Sequence, residues 1–351
     1  GSTAIQIIPH VAQQAKHLTI FQRTANYSLP ARNGPLPEDV RAAHKKKYRE
    51  LREQAYFTPF GIAGYPPPEK GAIEATPEER DAKYHAKWAE GGTISYLFSY
   101  TDLLLSEESN KTASDFVRER IRDIVKDPAT AELLCPNDHP IGTKRICLDS
   151  GYYETFNRDN VSLVDVRSAP IEGITPDGLR TTKEEFELDS LIFATGFDAM
   201  TGAILEMEVR TSDGADMKER WKDGPKTYLG IMVSGFPNMF VITGPGSPGV
   251  KSQMILSIEQ HTDWITNCIE NMRAKGINRA EADADAEVKW VEHVNEVANS
   301  TLYPQANSWY VGANMPGKPR IFMPYVGGVE AYKKICDEVV EKGYEGITLS
   351  P

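Results

Sequence analysis

No apolar run in the sequence reaches the roughly 18 residues that a membrane-spanning helix requires, so no membrane partner is expected. Cysteine is scarce. Cys135, Cys147, Cys268 and Cys336 lie far apart, with no C-x-x-C pair and no metal-ligand spacing. That excludes a disulfide framework and fits reduced thiols in a cytoplasmic protein. The seven histidines do not cluster, and no metal site is expected. Positive charge is not in excess: 39 Lys and Arg stand against 50 Asp and Glu, for a net charge of -11. A nucleic-acid binder needs a basic footprint, which this chain lacks. There is no internal repeat and no low-complexity tract. No signal peptide is expected, because the first residues already follow a helical pattern. What is present is 351 residues, 40% hydrophobic and 25% charged, an ordinary globular composition with room for about two domains.

The first segment carries Ile5, Ile8, Ala12 and Ala15 at helical spacing, with Pro9 inside the pattern. Leu18-Thr19-Ile20-Phe21 follows as a short buried strand ending at Gln22-Arg23-Thr24. Small residues, a helix, then a strand form the second half of a β-α-β unit. In a dinucleotide fold that helix N-terminus receives the pyrophosphate. An acid at the end of the next strand selects NAD, and an arginine there selects NADP. Arg23 points to NADP. The full fingerprint is G-x-G-x-x-G/A; here Gly1 would be its second glycine and Ala4 its last small residue, with the first glycine and its strand absent. A plain amphipathic helix explains the same residues.

Residues 32–140 read as helical. Thr76-Pro77-Glu78-Glu79 is a capping signal. Ser114-Asp115 is expected to open an amphipathic helix carrying Phe116, Val117, Ile121 and Ile124, which Pro128 ends. Then comes Gly142-Thr143-Lys144-Arg145, two adjacent cations at the seam between helical and strand-like halves. Such a pair is often solvated surface charge. Residues 161–166 read as a strand, and 171–181 as a hairpin around Pro176-Asp177-Gly178. Three further strands are expected at 188–193, 239–243 and 321–323. Helices are expected at 252–272, 283–299 and 329–341. The loop Gly244-Pro245-Gly246-Ser247-Pro248-Gly249 between strand and helix suits a phosphate or cofactor; it also suits a plain connection. Ser308-Trp309-Tyr310 sits in a polar loop.

Taken in order, the stretches FQRT (21–24), GTKR (142–145), ELDSLIFATGFD (187–198), GPGSP (244–248), SIEQH (257–261), SWY (308–310) and GAN (312–314) resemble the flavin-dependent Baeyer-Villiger monooxygenases of the phenylacetone and cyclohexanone monooxygenase type. The resemblance covers essentially the whole chain. It implies an α/β, Rossmann-like flavoprotein with two dinucleotide-binding domains, present in part. Residues 1–30 and 142–195 would form the NADP-binding domain without its first strand. Residues 31–141 would be a helical insertion, and 196–351 the C-terminal part of the FAD-binding domain. It further implies an enzyme that uses NADPH, FAD and O2 to insert one oxygen beside a ketone carbonyl, through a flavin C4a-peroxide, giving an ester or lactone. Arg145 matches the family's active-site arginine. Lys144, Arg23 and Thr24 match the clamp on the 2′-phosphate, while Gly1, Ser2, Thr3 and Gln6 match the dinucleotide-facing helix start. Trp309 matches the indole on NADP, and Met254 a residue beside the flavin. Ser247, Gly249, Val250 and Lys251 match part of the substrate wall.

The family's FAD-binding β-α-β unit and its F-x-G-x-x-x-H-x-x-x-W/P fingerprint are not in this sequence. The expectation is a C-terminal portion of a longer enzyme. Two other readings stand beside the ketone enzyme: a related flavin N- or S-oxygenase, and an inactive nucleotide-binding fragment.

Overall fold

The computed structural model describes residues 1–211 and 213–351. The chain divides into two compact units. Unit 1 contains 1–34 and 67–196; unit 2 contains 35–66 and 197–351. The segment 35–66, which lies inside the helical insertion expected at 31–141, thus packs with unit 2.

Unit 1 begins with α1 (Ser2–Gln14), which buries Ile5, Ile8, Pro9 and Ala12. Three of these follow the i, i+3, i+7 stripe that the apolar spacing requires. The Asn160 side chain closes α1, donating to Ala12 O and Ala15 O at 3.0 Å each. β1 (Leu18–Gln22) follows, then β2 (Ser28–Pro30). β2 pairs in parallel with β3 (Cys147–Asp149), and β1 in parallel with β4 (Val161–Asp165). Parallel neighbours need a long crossover. Between β2 and β3 the crossover is mostly helical. Its aromatic side chains Tyr84, Tyr96 and Phe116 share one core with Ile5 and Ile8 of α1 and with Tyr27 and Leu29 around β2.

Helix 77–90 starts as expected, with a capping box between Thr76 and Glu79 and Pro77 in the first turn. Ser114-Asp115 does not open a helix. The helix there is Glu107–Ile124, capped by Ser106. Ser114 Oγ donates to Asn110 Oδ1 at 2.9 Å one turn back, and Asp115 pairs with Lys111 and Arg118 at 2.5 Å each. Both polar residues are satisfied within the helix, so neither interrupts it. Pro128 starts a helix, Pro128–Leu134, behind the Asp127 cap, as the missing proline N–H permits at a first turn.

The hairpin is found, as β5 (Ile171–Thr175) and β6 (Gly178–Thr181), with an unexpected third strand, β7 (Glu185–Glu187). The strand expected at 188–193 is not formed. Ile192 is 53% exposed and Phe193 69% exposed. A buried strand needs hydrogen-bonded neighbours and covered faces, and among the described residues no strand pairs with this run.

Unit 2 is built on helices Met254–Ala274, Ala284–Asn299 and Val329–Glu341. All three lie within two residues of their expected limits. A short antiparallel pair, β8 (Arg279–Ala282) and β9 (Ile347–Ser350), joins them. The core contains Trp264, Cys268, Trp290, Val294, Tyr325, Tyr332 and Cys336. Segment 35–66 is tied in where Gln253 N–H donates to Phe60 O (2.8 Å), Val329 N–H donates to Pro59 O (3.1 Å), and Arg52 pairs with Glu259 (2.6 Å). The strands expected at 239–243 and 321–323 are absent as ladders. The first makes one isolated bridge, Met232 to Phe240, and the second is irregular. Both are apolar because they pack: Val241, Phe322 and Met323 are buried. Among the described residues, no helix is long and apolar enough to cross a membrane.

Candidate active site

In unit 1 the Gly-Thr turn is held rigidly. Gly142 has φ +88°, and a Cβ there would come within 2.8 Å of Leu104 and 3.0 Å of Leu97; only glycine fits. Asn110 locks the turn from helix 107–124. Its Nδ2 donates to Leu103 O (2.6 Å) and Ile141 O (2.9 Å), and its Oδ1 accepts from Ile141 N–H (2.9 Å). Thr143 is buried and donates to Pro140 O at 2.6 Å. The two cations leave this turn in different environments.

Lys144 is largely covered, its side chain 17% exposed, with Nζ 3.6 Å from Asp138 Oδ2. Burial lowers its pKa first; Asp138 opposes that, and Arg167 and Arg23 add to it. Arg145 is exposed, and its backbone carbonyl accepts from Asn26 Nδ2 at 2.9 Å. Arg23 and Thr24 come directly after β1, so Lys144, Arg23 and Thr24 gather at one end of the β1–β4 pair.

The start of α1 is a second feature of unit 1. Gly1 is its N-cap and no side chain caps it. Ser2, Thr3 and Gln6 are exposed, and Ser2 Oγ lies 3.5 Å from Cys147 Sγ at the start of β3. Free N–H groups and the helix dipole suit this end to an anion.

In unit 2 the Gly-Pro loop is closed on itself. Thr227 donates to Pro245 O (2.6 Å), Trp290 Nε1 to Gly246 O (3.2 Å), Gly246 N–H to Met323 O (2.6 Å) and Tyr325 N–H to Ser247 O (2.9 Å). Ser247 is fully buried and its hydroxyl donates to Gly244 O at 2.8 Å; Gly249 is buried as well. His261 anchors the entry to the loop. Its Nδ1 accepts from Thr243 N–H (3.0 Å), which leaves the proton on Nε2, 2.8 Å from the Tyr332 hydroxyl. Burial pushes the His261 pKa down to about 4.

Past the loop, Val250 is half-buried, and the Lys251 ammonium sits over Tyr303 (4.0 Å) and Tyr310 (4.4 Å), a cation–π arrangement. Trp309 packs on Tyr310 with ring centroids 4.3 Å apart. Met254 begins helix 254–274 and is 40% exposed; Ile255 beside it is 59% exposed.

No family model matches the chain. It is 40% identical over 349 residues to a Baeyer-Villiger monooxygenase of Pseudooceanicola batsensis, covering 99% of this chain and 63% of that protein. Among solved structures it is 45% identical to an oxidised steroid monooxygenase bound to NADP, with a TM-score of 0.92. It is 37% identical to OTEMO in complex with FAD and NADP, with a TM-score of 0.95. Each of these two alignments covers 100% of this chain and 65% of the other. The chain belongs to the Baeyer-Villiger monooxygenase family. It spans less than two thirds of the length of these family members.

The mixed helices and short parallel ladders match a partial α/β fold of the two-dinucleotide-domain type of these relatives. Three residues at the cation cluster escaped the sequence reading: Asp138, His139 and Arg167. Arg167 Nη2 donates to Thr24 Oγ1 at 3.0 Å and lies 3.2 Å from Asp138 Oδ2. His139 Nδ1 lies 2.6 Å from Asp138 Oδ1. Burial lowers the His139 pKa, so the ring is neutral and donates to Asp138. Burial alone would raise the Asp138 carboxyl, but His139, Lys144 and Arg167 outweigh it and hold it below the usual range. The signal for Asp138 and His139 was their position just before the GTKR stretch. The signal for Arg167 was its place after β4, the parallel neighbour of β1.

Proposed function

We propose that this chain serves an NADPH- and FAD-dependent Baeyer-Villiger oxygenation, in which one oxygen of O2 is inserted beside the carbonyl of a small ketone to give an ester or lactone. Residues 1–30 and 142–195 act as the NADP-binding domain, 31–141 as a helical insertion, and 196–351 as part of the FAD-binding domain. The observation that carries this reading is the basic cluster of Arg23 and Lys144 at the end of β1, in a chain 45% identical to an NADP-bound steroid monooxygenase.

The donor sets fit the two cofactors. The uncapped start of α1, with Gly1, Ser2, Thr3 and Gln6, suits a pyrophosphate. Arg23, Lys144 and Thr24 suit a 2′-phosphate, since charge-assisted bonds to phosphate are strong. The N-terminus of helix 254–274, with exposed Met254 and Ile255, offers an apolar face and a helix dipole to a flat ring with an anionic edge. When bound, NADPH supplies the hydride and FAD activates O2. Arg145 offers a fixed cation to the carbonyl oxygen as negative charge develops on it. The guanidinium does so with a planar fork that an ammonium lacks. Trp309 is assigned to the nicotinamide nucleotide, and Ser247, Gly249, Val250 and Lys251 to the ketone pocket wall, by their match to the family's motifs. Because Ser247 and Gly249 are buried, they act by shaping the loop, while Val250 and Lys251 present side chains. The cytoplasm is the compartment in which NADPH is supplied and four free, buried thiols persist.

The test is product analysis on the protein expressed from its native gene, with NADPH, FAD, isotopically labelled O2 and a cyclic ketone, an amine and a sulfide in parallel. A singly labelled lactone is expected. An N- or S-oxide with no lactone would make the protein a related heteroatom oxygenase. No oxygenated product from any substrate would end the proposal.

A further inference from the structure

Arg167 carries an inference that rests on the NADP reading above and goes beyond Arg23 and Lys144. We infer that Arg167 is a third cation of the 2′-phosphate site, and that Asp138 holds Arg167 and Lys144 together at one point to receive that group. The Asp138 Oδ2 atom is approached by Arg167 Nη2 at 3.2 Å and by Lys144 Nζ at 3.6 Å. The same Arg167 Nη2 donates to Thr24 Oγ1 at 3.0 Å. One guanidinium thus joins the residue beside Arg23 to the acid that faces Lys144.

The backbone fixes this placement. β1 and β4 run parallel with Gln22 opposite Asp165, and Val166 N–H donates to Gln22 O at 3.0 Å. The residues just past the end of β1 therefore lie beside those just past the end of β4. The loop after β4 is tightly turned: Asp165 Oδ1 accepts from Arg167 N–H at 2.9 Å, and Ala169 N–H donates to Asp165 O at 3.0 Å. The Asp165 carboxylate is engaged on its own loop and also faces the Arg167 charge, which helps hold it below the usual carboxylate range.

Charge decides between a surface ion pair and a binding site. Arg23, Lys144 and Arg167 bring three positive charges against the carboxylates of Asp138 and Asp165, and the neighbouring His139 is neutral. The cluster is left with one uncompensated positive charge. A phosphate monoester carries about -1.5 to -2 at pH 7 and is drawn to that excess. With Arg23 and Lys144 alone, the two carboxylates would cancel it. As a device for stability the arrangement is poor. Arg167 is 58% exposed, exposed pairs contribute little, and like charges crowd Lys144. As a receptor for a phosphate it has the donors in place. The planar fork of Arg167 can leave Asp138 and take two phosphate oxygens at once.

The experiment is calorimetric binding of adenosine 2′,5′-bisphosphate and of AMP, at fixed low salt, to the protein expressed from its native gene. It compares wild type, Arg23→Ala, Lys144→Ala, Arg167→Ala and Arg167→Lys, with a melting curve for each. Wild type should favour the bisphosphate. Arg167→Ala should bind the bisphosphate about tenfold more weakly, the size of one charge-assisted bond, with AMP binding and melting temperature unchanged. Arg167→Lys should recover part of the loss, and it decides the matter should the alanine variant melt early. If Arg167→Ala keeps wild-type affinity while Arg23→Ala and Lys144→Ala lose theirs, Arg167 is a surface cation; the inference fails and the NADP reading stands. If Arg167→Ala weakens both ligands equally, its role is structural and the inference fails. If wild type does not distinguish the two ligands, both the inference and the NADP reading fail.

Discussion

The cation cluster of unit 1 and the Gly-Pro loop of unit 2 solve opposite problems. The cluster gathers Arg23, Lys144 and Arg167 around Asp138, with Asp165 beside Arg167, and leaves positive charge uncompensated. The loop consumes its polar groups internally: Gly244 O, Pro245 O, Gly246 O and Ser247 O each accept a bond, and Ser247 and Gly249 are buried. A region that must meet an ionic ligand keeps unspent electrostatics. A region that must shape a pocket keeps rigid backbone. Substitutions in the loop should therefore act through folding, and substitutions in the cluster through ligand affinity.

The sharpest break of that contrast is Trp290→Ala. Trp290 is buried, stacks on Tyr325 with centroids 5.5 Å apart, and donates to Gly246 O. Its loss should cost about 3–5 kcal/mol of stability, read from urea unfolding. A cost under about 1 kcal/mol would show that the loop is not held by packing.

Arg145→Ala tests the opposite limb. Removing one preorganised donor to developing negative charge lowers turnover by about 10²–10³. Ketone oxygenation by the protein expressed from its native gene should fall by that factor, with stability unchanged, since Arg145 is exposed. Ester formation near the wild-type rate would reduce Arg145 to a surface cation. Arg145→Lys should rescue little, because an ammonium lacks the planar fork.

The same physics decides how far each region could be read from sequence. Helices 254–274, 284–299 and 329–341 were legible because each carries its own apolar stripe, and α1 and β1 likewise. The runs at 188–193, 239–243 and 321–323 looked like strands because apolar composition records burial or binding, whereas a strand also needs a partner. Ser114 and Asp115 looked like a helix start because the sequence does not show that Asn110, Lys111 and Arg118 already satisfy them. In the site, Lys144 and Arg23 were legible from motif and strand-end position. Arg167 lies 143 residues from Thr24, and only the register of β1 on β4 brings them together. The closure of the Gly-Pro loop was equally hidden, since its glycines read the same whether they cradle a ligand or pack against Trp290.

His261 gives a pH test of the loop. Its pKa falls from an ordinary 6.5 to about 4 in the fold, so the unfolded chain binds its proton first. The stability from keeping it neutral is fully present above about pH 6.5 and is lost as pH falls toward 4, a change of about 3 kcal/mol. Unfolding free energies from pH 7 to 4 should drop more steeply for wild type than for His261→Gln, which should also be weaker at pH 7. Parallel curves would mean that His261 is not buried neutral.

The smallest expected effect is the most selective. Arg23→Ala and Lys144→Ala should each raise KM for NADPH about tenfold and leave KM for NADH nearly unchanged, since NADH lacks the 2′-phosphate. Arg23 is exposed, so its contribution should shrink when salt shortens the Debye length from about 10 Å at 0.1 M to about 3 Å at 1 M. Lys144 is largely covered and should be less salt-sensitive. Steady-state kinetics with both cofactors at two ionic strengths separates the cases. The preference for NADPH in Lys144→Ala, which rests on exposed arginines, should collapse at high salt; in Arg23→Ala it should persist in part. Equal KM changes for NADPH and NADH would mean that the cluster does not read the 2′-phosphate. The division between an ionic unit 1 site and a packed unit 2 loop would then lose its functional side.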